Sequence, residues 1–117
     1  LTSVVGTALR DGRTWHYLDD GVYGSYSNVL TEDVHPPILA LREVLDNGPD
    51  EHSFESVTLA GPTCDSMDIL YETEKYALPA SLEEGDRLYI FTTGAYTQTY
   101  SSVCFNGFPP LQAYVLE

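Results

Sequence analysis

Apolar residues fall along this chain in short β-rich runs punctuated by turn residues, not in long stripes of helical period. Residues 4–10 (VVGTALR) and 14–18 (TWHYL) each read as a strand, and the Asp11-Gly12 between them is a hairpin signal. Residues 54–59 (FESVTL) read as a further strand, stopped by Gly61-Pro62. Residues 87–91 (RLYIF) follow the polar turn Glu83-Glu84-Gly85-Asp86, and 112–116 (QAYVL) read as a last short strand. Helical evidence is thin. Ile38, Leu41 and Leu45 have helical spacing, yet Pro36-Pro37 precedes them, so a strand and turn fit equally well. Asp20-Gly21-Val22-Tyr23-Gly24-Ser25 is too irregular for a helix, and 46–52 (DNGPDEH) reads as an exposed loop. Six or so short strands at this spacing predict an all-β domain, a small Greek-key barrel or sandwich with at most one or two short helices.

Composition narrows the class. With 117 residues, 43% of them hydrophobic, the chain holds one domain's worth of core and is not of disordered type. No apolar run approaches the ~20 residues of a membrane-spanning helix. Eighteen acidic against five basic residues give a formal net charge of −13. Such a field repels phosphate backbones, which argues against nucleic acid, and attracts cations, amine substrates included. The sequence opens at Leu1 without a Met, which suggests a fragment or a chain whose leader has been removed; Leu116-Glu117 fits a native end or an added one. Cys64 and Cys104 are too few for a disulfide scaffold and lack metal-ligand spacing. A Cys64–Cys104 bridge is one reading; two free thiols in a reducing, cytoplasmic setting is the preferred one.

Three stretches carry candidate chemistry. In Gly61-Pro62-Thr63-Cys64-Asp65-Ser66-Met67-Asp68 the Gly-Pro fixes a turn, and Cys64 with Asp65 sits at its exit. A thiol beside a carboxylate keeps its proton more tightly, which suits a proton donor better than a nucleophile; a small core cysteine in a turn is the competing reading. Gly94-Ala95-Tyr96-Thr97 directly follows a strand, where a glycine permits close backbone approach and the Tyr96 hydroxyl can donate to a phosphate oxygen. The alternative is a tyrosine packed under a loop. Thr31-Glu32-Asp33 can face a cationic group or simply be a solvated acidic loop. His16, His35 and His52 have no ligand spacing, so no metal is expected.

Read in order, YLDDGVYGS at 17–25, GPTCDSMD at 61–68, Leu78-Pro79, Gly85-Asp86, GAYT at 94–97 and FNGF at 105–108 resemble the C-terminal β-domain of the ornithine/lysine decarboxylase family. These are fold type III pyridoxal 5'-phosphate (PLP) enzymes. Cys64 followed by Asp65 is similar to the ornithine and lysine branch; the diaminopimelate branch has Glu after the Cys. The resemblance implies that Cys64 reaches across a homodimer interface and protonates the carbon that carbon dioxide has left. It implies that Asp65 holds the distal amine of a diamino acid, that Tyr96 binds the PLP phosphate, and that Tyr23 and Phe105 line the interface near the site. An ungapped match over 29–35 (VLTEDVH) puts Glu32 where the ornithine enzymes carry a second substrate-binding Asp, and Thr31 where the family often has Tyr.

The resemblance also says what is missing. PLP chemistry needs a lysine. Lys75, the sole lysine, lies in an apparent insertion around 72–77 and matches no family catalytic lysine. In the family that lysine belongs to an N-terminal (β/α)8 barrel, so 1–117 is expected to be the C-terminal domain alone. Its product would be a polyamine precursor, putrescine or cadaverine. An antizyme-inhibitor-like relative that binds a regulatory partner, or a separately encoded β-domain serving a barrel in trans, are the other readings. The family's β-domain also takes a strand from ahead of the barrel, so this piece is expected to expose a sheet edge and self-associate.

Overall fold

In the computed structural model, which describes residues 1–31, 35–45, 54–70, 76–94, 97 and 101–115, the Asp11-Gly12 turn joins two antiparallel strands, β1 (Thr2–Arg10) and β2 (Arg13–Leu18). Asp11 and Gly12 both have positive φ, 52° and 74°. That is the mirror-image turn whose twist matches the strands it connects. The chain continues through α1 (Asn28–Thr31), β3 (Ile38–Ala40), α2 (Leu41–Leu45), β4 (Phe54–Ala60), β5 (Ile69–Leu70), β6 (Tyr76–Pro79) and β7 (Arg87–Ile90). The seven strands form one sheet in the order β3-β7-β1-β2-β4-β5, with β6 also pairing β4. This is the all-β architecture the sequence predicts, with two short helices among the described residues.

Alternation decides which face is buried. Along β7, Leu88 and Ile90 turn inward while Arg87 and Tyr89 stay exposed. Leu18, Leu59, Leu70, Leu78 and Leu88, from five strands, are each at most 1% exposed. Burying each such side chain contributes about 2 kcal/mol. Val5 is exposed because it faces away from the buried Val4 beside it, and Leu9 is exposed where the β1–β2 hairpin leaves the core towards its turn. There the Arg10 guanidinium lies 4.5 Å from the centre of the Trp15 ring, covering an outer surface that has no core to meet.

Both readings of the stretch after Pro36-Pro37 are realised in turn. Ile38–Ala40 pairs with β7, and Leu41–Leu45 then makes one helical turn. The Glu43 carboxylate accepts from the Ala40 backbone N–H at 2.8 Å, which satisfies a buried donor at the helix start. Arg42 grips Asp86 with two hydrogen bonds of 2.9 and 3.0 Å, tying α2 to the turn before β7.

Two expectations fail. Residues 112–115 form no strand and are exposed, Tyr114 at 84% and Val115 at 88%. A strand needs a neighbour for its N–H and C=O groups, and none lies beside this segment among the described residues. Tyr76 and Ala77, taken as part of an inserted loop, belong to β6, where they pair with Val57 and Ser56. Glu32, Lys75, Tyr96 and the 46–52 stretch lie outside the described residues. Among the described residues no helix is long and apolar enough to cross a membrane.

Candidate functional site at the ends of β2 and β4

The site begins with strand direction. β2 and β4 pair in parallel, Thr14 opposite Val57 through Tyr17 opposite Ala60. Their C-terminal ends therefore emerge side by side, and the loops that follow, 19–27 and 61–68, meet. The second loop closes on itself, because β4 and β5 pair at Ala60 and Ile69 and the Gly61 N–H donates to the Asp68 carbonyl at 2.8 Å. Pro62 has no N–H, so it can follow Gly61 without leaving a donor unpaired.

Asp68 locks the two loops together. It is 2% exposed. One carboxylate oxygen accepts from the Val22 N–H at 3.1 Å, and the other from the Thr63 N–H at 3.1 Å and the Thr63 hydroxyl at 2.6 Å. The carboxylate occupies the space where a side chain at Gly21 or Gly61 would begin; a Cβ on Gly61 would lie 2.5 Å from its carboxyl carbon. Gly21 and Gly61 are thus steric requirements of one buried carboxylate, and Gly24 is required in the same way by the carboxylate of Asp20. Asp20 does similar work within the first loop, accepting from the Gly21 and Ser25 N–H groups at 2.8 and 2.9 Å. Burial pushes its carboxyl above the ordinary value, against the hydrogen bonds from Ser25 and Gly21 that favour the charged form.

Between these anchors the loop projects Cys64 and Asp65. Cys64 is an exposed free thiol, which corrects the reading of a small core cysteine and agrees with the preferred reading of two free thiols. Asp65 is half-buried, and one of its oxygens accepts from the Met67 N–H at 2.8 Å. The Tyr23 phenol is pushed above its ordinary value first by loss of water around it and then by the neighbouring Asp65 and Asp68 carboxylates. The Tyr23 ring stacks on Phe105, centres 4.0 Å apart and planes 12° from parallel.

A third segment completes the cluster. The Ser102 N–H donates to the Tyr23 carbonyl at 2.8 Å, and the Ser101 hydroxyl to the Gly24 carbonyl at 2.8 Å. This holds the 3-10 turn Phe105–Gly107 against the first loop. From that turn Asn106 donates its side-chain N–H to the Cys64 sulfur at 3.2 Å. An open cleft of about 190 Å³ runs beside the cluster, lined by Gly24, Thr63, Asp68, Phe105 and Phe108 among others.

Four of the six candidate site residues, Cys64, Asp65, Tyr23 and Phe105, thus come together at one end of the sheet. Glu32 and Tyr96 lie outside the described residues. Sequence reasoning missed Asp68 and Asn106 as individuals. Both stood inside quoted motifs, but nothing local separated an anchoring Asp from a presented one. Among the described residues no group of His, Cys, Asp or Glu is placed to hold a metal ion.

Residues 1–94 match the family described as pyridoxal-dependent decarboxylase, C-terminal sheet domain, and the chain belongs to that family. An ornithine decarboxylase of Panagrellus redivivus is 39% identical over 114 residues, 97% of this chain and 24% of that protein. Antizyme inhibitor 2 of Xenopus laevis is 42% identical over 94 residues, 80% of this chain and 19% of that protein. The lysine/ornithine decarboxylase of Vibrio vulnificus, solved with cadaverine, superposes with a TM-score of 0.80 at 37% identity, covering 98% of this chain and 29% of that one. The chain thus spans about a quarter of the length of the curated relatives it matches.

The residues on hand fit one wall of a PLP site. An exposed thiol and a half-buried carboxylate suit proton transfer and amine binding, and among the described residues nothing lies within 4 Å of the place where a Cβ on Gly94 would sit, which leaves room there for an anion. The sole lysine, Lys75, is outside the described residues.

Proposed function

We propose that this domain supplies one wall of the active site of a PLP-dependent decarboxylase acting on a basic amino acid, ornithine or lysine, and yielding putrescine or cadaverine. The site is completed by an N-terminal barrel across a homodimer interface, in a cytoplasmic enzyme. PLP, when bound, supplies the electron sink that lets carbon dioxide leave. Cys64 then gives its proton to the carbon so exposed. Asp65, already held by the Met67 N–H, binds the distal ammonium of the substrate, with Glu32 as a second acid. Tyr96 donates to the cofactor phosphate, and the stacked Tyr23 and Phe105 rings present a flat apolar surface to the facing subunit.

One observation carries this reading: an exposed thiol and an adjacent carboxylate project from a loop whose other end is locked by a buried Asp68 that accepts three hydrogen bonds. Catalytic groups need such rigid support beneath them. In the full-length protein, Cys64→Ala should divert protonation away from the product carbon and lower diamine formation by about a hundredfold, the usual contribution of a positioned general acid. An unchanged product ratio would remove Cys64 from the role. A second reading, a non-catalytic domain that binds a regulatory protein, is favoured by the likeness to antizyme inhibitor 2. Release of carbon dioxide from ornithine or lysine by the full-length protein decides between the two.

A further inference from the structure

We propose that Asn106 is a positioning residue for Cys64, its amide aiming the sulfur and sharing the negative charge that sulfur acquires on giving up a proton. The inference deepens the assignment of Cys64 as proton donor and rests on it. The Asn106 side-chain nitrogen lies 3.2 Å from the Cys64 sulfur, across 42 residues of sequence, and both residues are exposed in this chain. A contact between two exposed side chains holds only if the backbone beneath each is fixed, and here both are. Cys64 stands on the loop locked by Asp68.

Asn106 stands on a turn of unusual backbone. Cys104, Asn106 and Gly107 have φ of 56°, 52° and 82°, so three of the four residues from Cys104 to Gly107 have positive φ. The Gly107 N–H closes the turn onto the Cys104 carbonyl at 3.0 Å, and the Phe105 ring pins it to Tyr23. Left-handed backbone disfavours most side chains, and Asn is among the few that adopt it readily. Asn106 therefore has two separable qualifications, its tolerance of the turn and its amide. Glycine relaxes the turn at least as well and has no amide. Aspartate keeps a side chain of the same length and replaces the donor with an acceptor.

In the proton-transfer step the S–H bond breaks and a C–H bond forms on the substrate carbon. The bonding pair stays on sulfur, and the Asn106 N–H points at the resulting charge. Water returns the proton afterwards. An N–H donor on that sulfur favours the charged product of the step, whereas the adjoining Asp65 carboxylate opposes it.

The test uses the full-length protein with Asn106→Gly and Asn106→Asp, measuring iodoacetamide labelling of the Cys64 and Cys104 peptides at fixed pH by mass spectrometry, alongside product ratio and melting temperature. Asn106→Gly should slow labelling of Cys64 about fivefold, one hydrogen bond's worth. Asn106→Asp should slow it further, and Cys104 should label as before in both. Wild-type labelling of Cys64 in Asn106→Gly would reduce Asn106 to a turn former and overturn the proposal. Equal changes at Cys104 would overturn it too, by reporting a loosened turn. If labelling responds as expected while Cys64→Ala leaves the product ratio intact, the contact stands and the proton-donor reading falls.

Discussion

Asp68 is 2% exposed and its carboxylate accepts three hydrogen bonds from two loops, whereas Asp65, three residues earlier in the same loop, is half-buried and its carboxylate accepts one, from the Met67 N–H. Both are aspartates in one octapeptide. Their difference lies in the donors that reach them. Asp68 meets Val22, 46 residues away, because β2 and β4 run parallel and bring their following loops together. Asp65 meets one local N–H, which leaves capacity for a ligand. A rigid acid tied to both loops, beneath a presented acid and thiol, is how a small domain holds polar groups ready at its surface.

The sharpest way to break this comparison is Asp68→Ala. It leaves the Val22 and Thr63 donors without their acceptor, and we expect a loss of about 3 kcal/mol in unfolding free energy by denaturant titration. A loss under about 1 kcal/mol would mean that Asp68 is not the lock. Next comes the acid whose chemistry is proposed from the family alone. Glu32→Asp in the full-length protein shortens that side chain by one methylene and should change the ornithine-to-lysine rate ratio about tenfold. An unchanged ratio would reject its part in setting chain length.

A gentler test titrates the buried side of the comparison. Burial holds the Asp20 carboxyl above its ordinary value of 3.8, so between 3.8 and the raised value the folded state binds more protons than the unfolded one. Wild-type stability therefore falls as pH rises through that window. Asn keeps an oxygen acceptor and cannot ionise. The stability difference between Asp20→Asn and wild type should shift in favour of wild type as pH falls from 7 towards 3.8, read from melting curves at several pH values. A constant difference would show that Asp20 does not titrate with folding. The smallest effect is expected at Cys64 itself. Cys64→Ala should change unfolding free energy by less than about 0.5 kcal/mol, because the exposed thiol packs against little. A loss of 2 kcal/mol would make it a structural residue.

Much of the fold was legible because its signals are local. Asp11-Gly12 specifies a hairpin through two positive φ values that only a few residues tolerate. The inward Leu88 and Ile90 follow from strand alternation, and the Gly61-Pro62 stop follows from ring closure and a missing N–H. QAYVL misled for a related reason: its pattern suits a strand, yet a strand exists only where another offers its edge. Of the site, Cys64, Asp65, Tyr23 and Phe105 could be named from ordered motifs, and they do gather in space.

The chain's own order of residues therefore determined the strand-rich class, the hairpin, the turns and the motif that carries the thiol, since each depends on backbone preferences within a few residues. Tertiary structure alone decided that β2 and β4 run parallel, that Asp68 rather than Asp65 is the lock, and that Asn106 reaches the Cys64 sulfur. Those outcomes depend on which distant donors arrive at a given acceptor, and hydrogen bonds across 42 and 46 residues leave no local trace.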